Sequence, residues 1–373
     1  MRILILAFIL FLMLITGCTE SPIVKDYLPV NDNVILIGTT SSDYSSSNLD
    51  ILTTSTRSTA KNQLKLHTDH LIRVKDGAAY ILERSGKDNI IRYDYKNNVI
   101  GYQENLGSGI NIQDIAFVSS TKAYITAYQS SDLIVFNPET GKKVKVIDLS
   151  AYNSFAGTDS AESVPFMSSI MTYENKVLVA CQRLQTVQGP WGSTWAPGDS
   201  SCILIIDTES DQVEEAIILN KKNPAAIDTF GNRLFVSCSG SWFDPTDGGV
   251  EMIDLANFSN LGVVAEESAF EGNIGNIAAV SLQKVYVCTG KNTEDFSKFW
   301  TEVIPLNPTL KTIGSKLESV KDGSGGIVFD GEMLYVGDRD LTSPGVVIID
   351  PETDSLNERI STGLPPSAVA FSE

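Results

Sequence analysis

The chain has 373 residues, 42% of them apolar and 20% charged, a globular composition that excludes a disordered polymer, a coiled coil and a multi-span membrane protein. Its formal net charge of −18 argues against a phosphate backbone or an anionic lipid surface as partner, since both reward clustered Lys and Arg, and no nucleic acid is expected. Two histidines leave little for general acid–base chemistry near neutrality.

Arg2 is the only charged residue before Glu20, and Ile3 to Ile15 is a nearly unbroken apolar run. That run is short for a bilayer span and has the proportions of a signal-peptide core. It ends in Ile15-Thr16-Gly17-Cys18, which resembles a bacterial lipobox: an aliphatic residue, two small residues, then Cys. The resemblance implies cleavage after residue 17 and lipid attachment at Cys18, which leaves 27 basic against 46 acidic residues. Residues 18–32 read as a polar tether. The expected location is the cell envelope, with the protein anchored to the outer membrane or cell surface, or on the periplasmic face. The absence of Asp directly after Cys18 favours outer-membrane delivery in a diderm.

From residue 33 a phrase of basic or small residue followed by an apolar run recurs. It appears as Ala78-Ala79-Tyr80-Ile81, Lys122-Ala123-Tyr124-Ile125, Lys176-Val177-Leu178-Val179, Arg233-Leu234-Phe235-Val236, Lys284-Val285-Tyr286-Val287 and Met333-Leu334-Tyr335-Val336. The central residues are 44, 54, 57, 51 and 49 apart. A second apolar run follows each copy and ends in Asp or Asn and a turn, as in Leu133 to Gly141 and Val346 to Thr353. With a run before and a run after, each repeat supplies four short strands, here called A to D. These strands lack polar alternation, as strands buried on both faces do. Four-stranded sheets packed face to face around an axis form a β-propeller. Six repeats are complete, and the chain closes with a lone A strand at Pro366 to Phe371. The missing B, C and D strands are predicted at Asn33–Gly38, Asn48–Leu52 and Gln63–Leu66. The fold class is therefore all-β, a seven-bladed propeller over residues 33–373 whose last blade is shared by the two ends of the chain.

The Tyr-Ile or Tyr-Val strand followed by the Phe136–Gly141 turn, with Asp350-Pro351-Glu352-Thr353 as another copy, resembles the YVTN-type, YncE-like propeller repeat. The resemblance covers about residues 33–373 and speaks to fold more than to function. It implies an exported lipoprotein of a kind that includes surface proteins capturing corrinoids or iron chelates for an outer-membrane transporter.

The A–B turns are short, and the extra length falls between B and C or between D and the next A. Gln182–Ser201, Ser239–Gly249 and Gly290–Thr301 are B–C insertions in adjacent repeats, and Ala151–Pro165 is a long D–A connection. All four should emerge on one rim. They carry every tryptophan of the chain, Trp191, Trp195, Trp242 and Trp300, together with Phe243, Phe296, Phe299, Tyr152 and Phe155. Long aromatic loops on a rigid scaffold suit ligand binding, with rings folded inward to anchor their own loops as the alternative.

His67-Thr68-Asp69-His70 lacks further ligands for a metal, and the starts of the A strands offer Asp114 and Asn276 but few other hard donors for calcium. No nucleophile elbow, phosphate loop or dinucleotide fingerprint occurs, and no cofactor is expected. Cys181 and Cys202 flank the 182–201 insertion and are candidates for a disulfide. Cys238 and Cys288 end B strands of neighbouring repeats and form a second candidate pair, buried free thiols being the alternative for both. The reading is a lipid-anchored, monomeric, non-catalytic protein that captures a bulky small molecule of corrinoid or metal-chelate type. A protein–protein scaffold on the same face and a propeller hydrolase or lyase are the alternatives.

Overall fold

The computed structural model describes residues 33–154, 164–189, 192–198, 200–241 and 244–372. Six four-stranded antiparallel sheets follow one another along the chain, over residues 70–105, 112–148, 167–218, 224–266, 273–313 and 327–361. We number these blades 1 to 6. Blade 7 joins Pro366–Phe371, as its A strand, to Val34–Thr40, Ser47–Thr53 and Thr59–Lys65. Closure is in register: Ile35 faces Phe371 and Ile37 faces Val369, and the Val34 amide donates to Ser372 Oγ at 2.8 Å. The seven-bladed propeller read from the repeats is thus the fold. Its outermost N-terminal strand begins at Thr59, ahead of the predicted Gln63, and pairs with Ser47–Thr53 around an irregularity between Leu49 and Ile51. The lipobox, Cys18 and the tether lie outside the described residues.

The unbroken apolar runs have a simple cause. Alternate side chains of a B or C strand face alternate neighbours, so both faces of each blade are interfaces. In blade 4, Leu234, Val236 and Cys238 pack toward blade 3, while Phe235 packs toward blade 5. Seven apolar clusters result, one at each junction around the ring. The D strands form the outer wall and alternate freely with charge, as exposed Lys142–Asp148 shows.

The recurring phrase also latches one blade to the next. The Tyr124 hydroxyl donates to Asp211, in the C–D turn of blade 3, and Lys122 pairs with the same carboxylate at 2.9 Å. Tyr286 and Lys284 of blade 5 repeat this with Asp354 of blade 6. Arg57 in the C–D turn of blade 7 donates to the Tyr335 hydroxyl at 2.8 Å. Where the centre is Leu178 or Phe235 there is no hydroxyl to offer. There Lys176 and Arg233 pair with Asp207 and Asp254 of their own blades.

Candidate functional site

The latches occupy the rim of the A–B and C–D turns. The insertions stand on the opposite rim, as strand order requires. In blade 3 the insertion carries a hairpin of its own, Leu184–Gly189 paired with Gly192–Pro197. In blade 5 the predicted loop is largely strand, because the B and C strands run on to Asn292 and start at Phe299, with Lys291 opposite Trp300. The crown is stitched by cations that donate to loop carbonyls. Arg183 reaches Asn153 at 3.3 Å and Ser200 at 2.9 Å, Lys221 reaches Thr246 at 2.7 Å, and Lys291 reaches Phe270 at 2.7 Å. The Arg183–Ser200 bond closes the blade 3 insertion on itself, and the other stitches each join a B–C insertion to a neighbouring connection, so the loops form one surface.

The aromatic residues on this rim divide. Trp300 lines a cleft of about 600 Å³ with Glu271, Lys291, Asn292, Glu302 and Lys316. Its indole donates to Glu302 at 3.3 Å, and Lys316 pairs with the same carboxylate at 2.8 Å. Burial alone would raise the Glu302 pKa, but the bonds from Lys316 and Trp300 hold it below the ordinary carboxylate range. The cleft therefore offers an indole among charges already paired with one another. Phe296 and Phe299 sit at the tip of the blade 5 hairpin, 48% and 58% exposed, with ring centroids 6.5 Å apart. Tyr152 is half-buried against the core between blades 2 and 3, the position of a loop anchor. Trp195 lies in the second strand of the blade 3 hairpin. Trp191, Trp242, Phe243 and Phe155 fall outside the described residues.

All four cysteines named for disulfides are free and buried. Cys181 and Cys202 stand directly opposite each other at the base of the blade 3 insertion, as their spacing implied. The hydrogen bond between the two thiols raises the Cys181 pKa and lowers that of Cys202. The Cys238–Cys288 pair is corrected by the packing. Cys238 points into the junction with blade 3 and Cys288 into the junction with blade 6, so the two side chains face away from each other. Their opposite pleat faces were read correctly, but they are the outer faces of the two-blade unit.

A second cavity, of about 360 Å³, is the axial channel, lined by A strands of all seven blades. Sequence reasoning named Asp114 and Asn276 of its wall but missed Arg73 and Arg84. Arg73 donates twice to Asp114, at 2.9 Å on both oxygens, and Arg84 binds Asp69 at 2.8 Å and Gln113 at 3.2 Å. Arg73, set between Ile72 and Val74 in the A strand, was the available signal. Asp114, weighed as a calcium ligand, spends its oxygens on Arg73 and on the Ile115 amide. His70 Nδ1 lies 2.7 Å from the His67 carbonyl and so carries the proton, leaving Nε2 to accept from Ser367 at 3.2 Å. Gly38 makes room for this ring, since a Cβ there would lie 2.0 Å from Nε2. His67 Nδ1 is met by the Asp69 amide at 3.3 Å, so the His-x-x-His segment is built into the blade 7–blade 1 seam.

Burial lowers the His70 pKa, outweighing the His67 carbonyl, which raises it; nearby Arg84 lowers it further and Asp69 opposes. The native ring thus takes up its proton at lower pH than the unfolded chain, which does so near 6.5. His70 therefore costs stability as pH falls below about 6.5 and costs nothing above it. Asp50 and Asp228, whose carboxyls burial pushes up, contribute in the opposite sense, favouring the native state at low pH. The wild type should consequently lose more of its urea midpoint between pH 7 and pH 5 than His70→Gln does. Equal pH slopes in the two proteins would refute the assignment.

No protein-family model matches the chain, and no curated protein matches it in sequence. Solved structures do match in fold. Hydrazine synthase of Kuenenia stuttgartiensis aligns with a TM-score of 0.59 at 16% identity, over 80% of this chain and 88% of that one. The dihydro-heme d1 dehydrogenase NirN, solved in complex with DHE, gives 0.55 at 13% identity over 92% and 76%. The WD40 domain of Neurospora crassa Pan2 gives 0.53 at 12% over 83% of each. At these identities the likeness is one of β-propeller fold.

Proposed function

We propose that the chain is a non-catalytic, lipid-anchored binding protein of the cell envelope, of YVTN/YncE-like type, attached through Cys18. It captures a bulky small molecule of corrinoid or metal-chelate class on the insertion rim and delivers it to an outer-membrane transporter. The observation that carries this reading is the Trp300 cleft, roomy at about 600 Å³ and set in a loop crown stitched into one surface. Glu302 is paired with Lys316 and Lys291 is bound to backbone carbonyls, so the walls suit a large ligand of low net charge. The Lys-x-Tyr latches fall on the residues that carry the repeat resemblance, which supports the family reading.

Isothermal titration with a corrinoid, an iron chelate and a neutral oligosaccharide tests it. Binding of one chelate class is expected, with Trp300→Ala weakening it at least about tenfold, the loss for one well-packed aromatic contact. No heat with any class, at protein concentrations that would reveal micromolar binding, removes the small-molecule reading. A protein partner would then take its place, favoured by exposed Phe296 and Phe299 at the hairpin tip.

A further inference from the structure

Three buried side-chain oxygens at one junction have no hydrogen-bond partner: Glu267 Oε2, Ser237 Oγ and Thr289 Oγ1. The residues are 1%, 0% and 0% exposed. Ser237 shares a pleat face with Phe235, and Thr289 shares one with Val287, and both of those residues pack between blades 4 and 5. Glu267 lies in the short turn that joins these two blades. Ile274 ties Glu267 to Thr289 and to Ser239, two residues past Ser237. Its amide donates to Glu267 Oε1 at 3.2 Å, its carbonyl accepts from Ser239 at 2.6 Å, and it stands opposite Thr289 in the sheet. Glu267 Oε2 and the Cys238 carbonyl flank one point above Gly248, where a Cβ would lie 2.4 Å and 2.8 Å from them.

Among the described residues no cation is bonded to Oε2. Lys221 is taken by Glu266 at 2.5 Å and by the Thr246 carbonyl, and Lys291 by the Phe270 and Glu271 carbonyls. Asn273 and Ile274 serve only Oε1, burial pushes the Glu267 carboxyl up to about 7, and an orphaned buried oxygen calls for an occupant. The donors are all oxygen and include a single carboxylate, a set suited to a hard cation of one positive charge. A single carboxylate would leave one charge of a calcium ion unbalanced.

We propose that the junction of blades 4 and 5 holds a sodium ion between Glu267, Ser237 and Thr289, with the Cys238 carbonyl as a further donor. The ion would brace the base of the loop crown without belonging to the Trp300 cleft, so the site stands or falls apart from the ligand reading.

The experiment compares thermal midpoints in about 0.15 M sodium chloride and in N-methyl-D-glucamine chloride of equal ionic strength, alongside ²³Na NMR line widths. The wild type should melt roughly 3 °C higher in sodium and broaden the ²³Na line saturably. Glu267→Gln should lose both effects, and Thr289→Val should need several-fold more sodium. If Glu267→Gln does not fold, the wild-type line width and Thr289→Val decide. Equal wild-type midpoints in the two salts with no saturable broadening would overturn the proposal, the oxygens then being served by water or by a protonated carboxyl.

Discussion

Asp338→Ala is expected to cost about 4 kcal/mol of stability, the scale for removing one member of a buried ion pair. The carboxylate ends the B strand of blade 6 and its side chain is fully buried. One oxygen accepts from the amides of Asp322 and Asp340 at 2.9 and 3.0 Å. The other accepts from the Lys321 amide at 3.0 Å and from Arg359 at 2.6 Å. Alanine would strand three amides and half-bury an unpaired guanidinium. Asp338→Asn keeps the shape and one acceptor oxygen but loses the charge and turns an NH2 donor toward other donors, so it should recover only a small part of that loss. Urea denaturation of both variants checks this, and a loss below about 1 kcal/mol for alanine would show that water replaces the carboxylate without penalty.

A chain ending at residue 365 should not hold the ring closed. Removing Pro366–Phe371 strips the A strand from blade 7 and leaves Val34–Thr40 as an open sheet edge. It also uncovers apolar groups on both sides, since Ala368 and Ala370 pack toward blade 1 and Val369 toward blade 6. At about 1.5–3 kcal/mol per large apolar side chain, the loss reaches several kcal/mol, comparable to a whole domain's stability. The expected result is loss of a cooperative melt by circular dichroism and concentration-dependent association by size exclusion. A truncated chain that is monomeric and melts as the full chain does would show that the N-terminal strands close the ring unaided.

Much of this architecture was legible because a propeller writes the same constraint repeatedly. Tyr80, Tyr124, Tyr286 and Tyr335 recur at strand centres, and the Asp or Asn turns follow at a fixed remove. The shared last blade followed from the lone strand at Pro366. The blade 5 insertion was misjudged as loop because Gly290 and Asn292 weaken a strand signal, whereas pairing across the hairpin carries the ladder on to Asn292 and Phe299. The Cys238–Cys288 pair failed for a different reason. Alternation tells which residues share a pleat face, but which neighbour each face meets depends on the direction in which the ring is wound. The ion pair in the channel wall was unreadable because Arg73 and Asp114 sit in different repeats, and only closure of the torus brings them together.

The acidity also has an internal component. Asp88 holds the amides of Gly109 and Ile112, Glu251 holds that of Lys221, and Asp338 holds those of Lys321 and Asp322. Each carboxylate fastens a D–A connection on the insertion rim, so part of the negative charge is framework.

The latches are uneven around the torus. Blades 2 and 5 grip their successors through tyrosine and lysine, whereas Leu178 and Phe235 leave the two seams of blade 4 with apolar packing at that level. The directional bonds at those seams come instead from the channel side, where Ser168 and Ser169 donate to the Pro224 and Ala225 carbonyls and the Ala279 amide donates to Asp228. Blade 4 is therefore fastened to its neighbours along the inner wall, and a lesion in its A strand would loosen both seams at once.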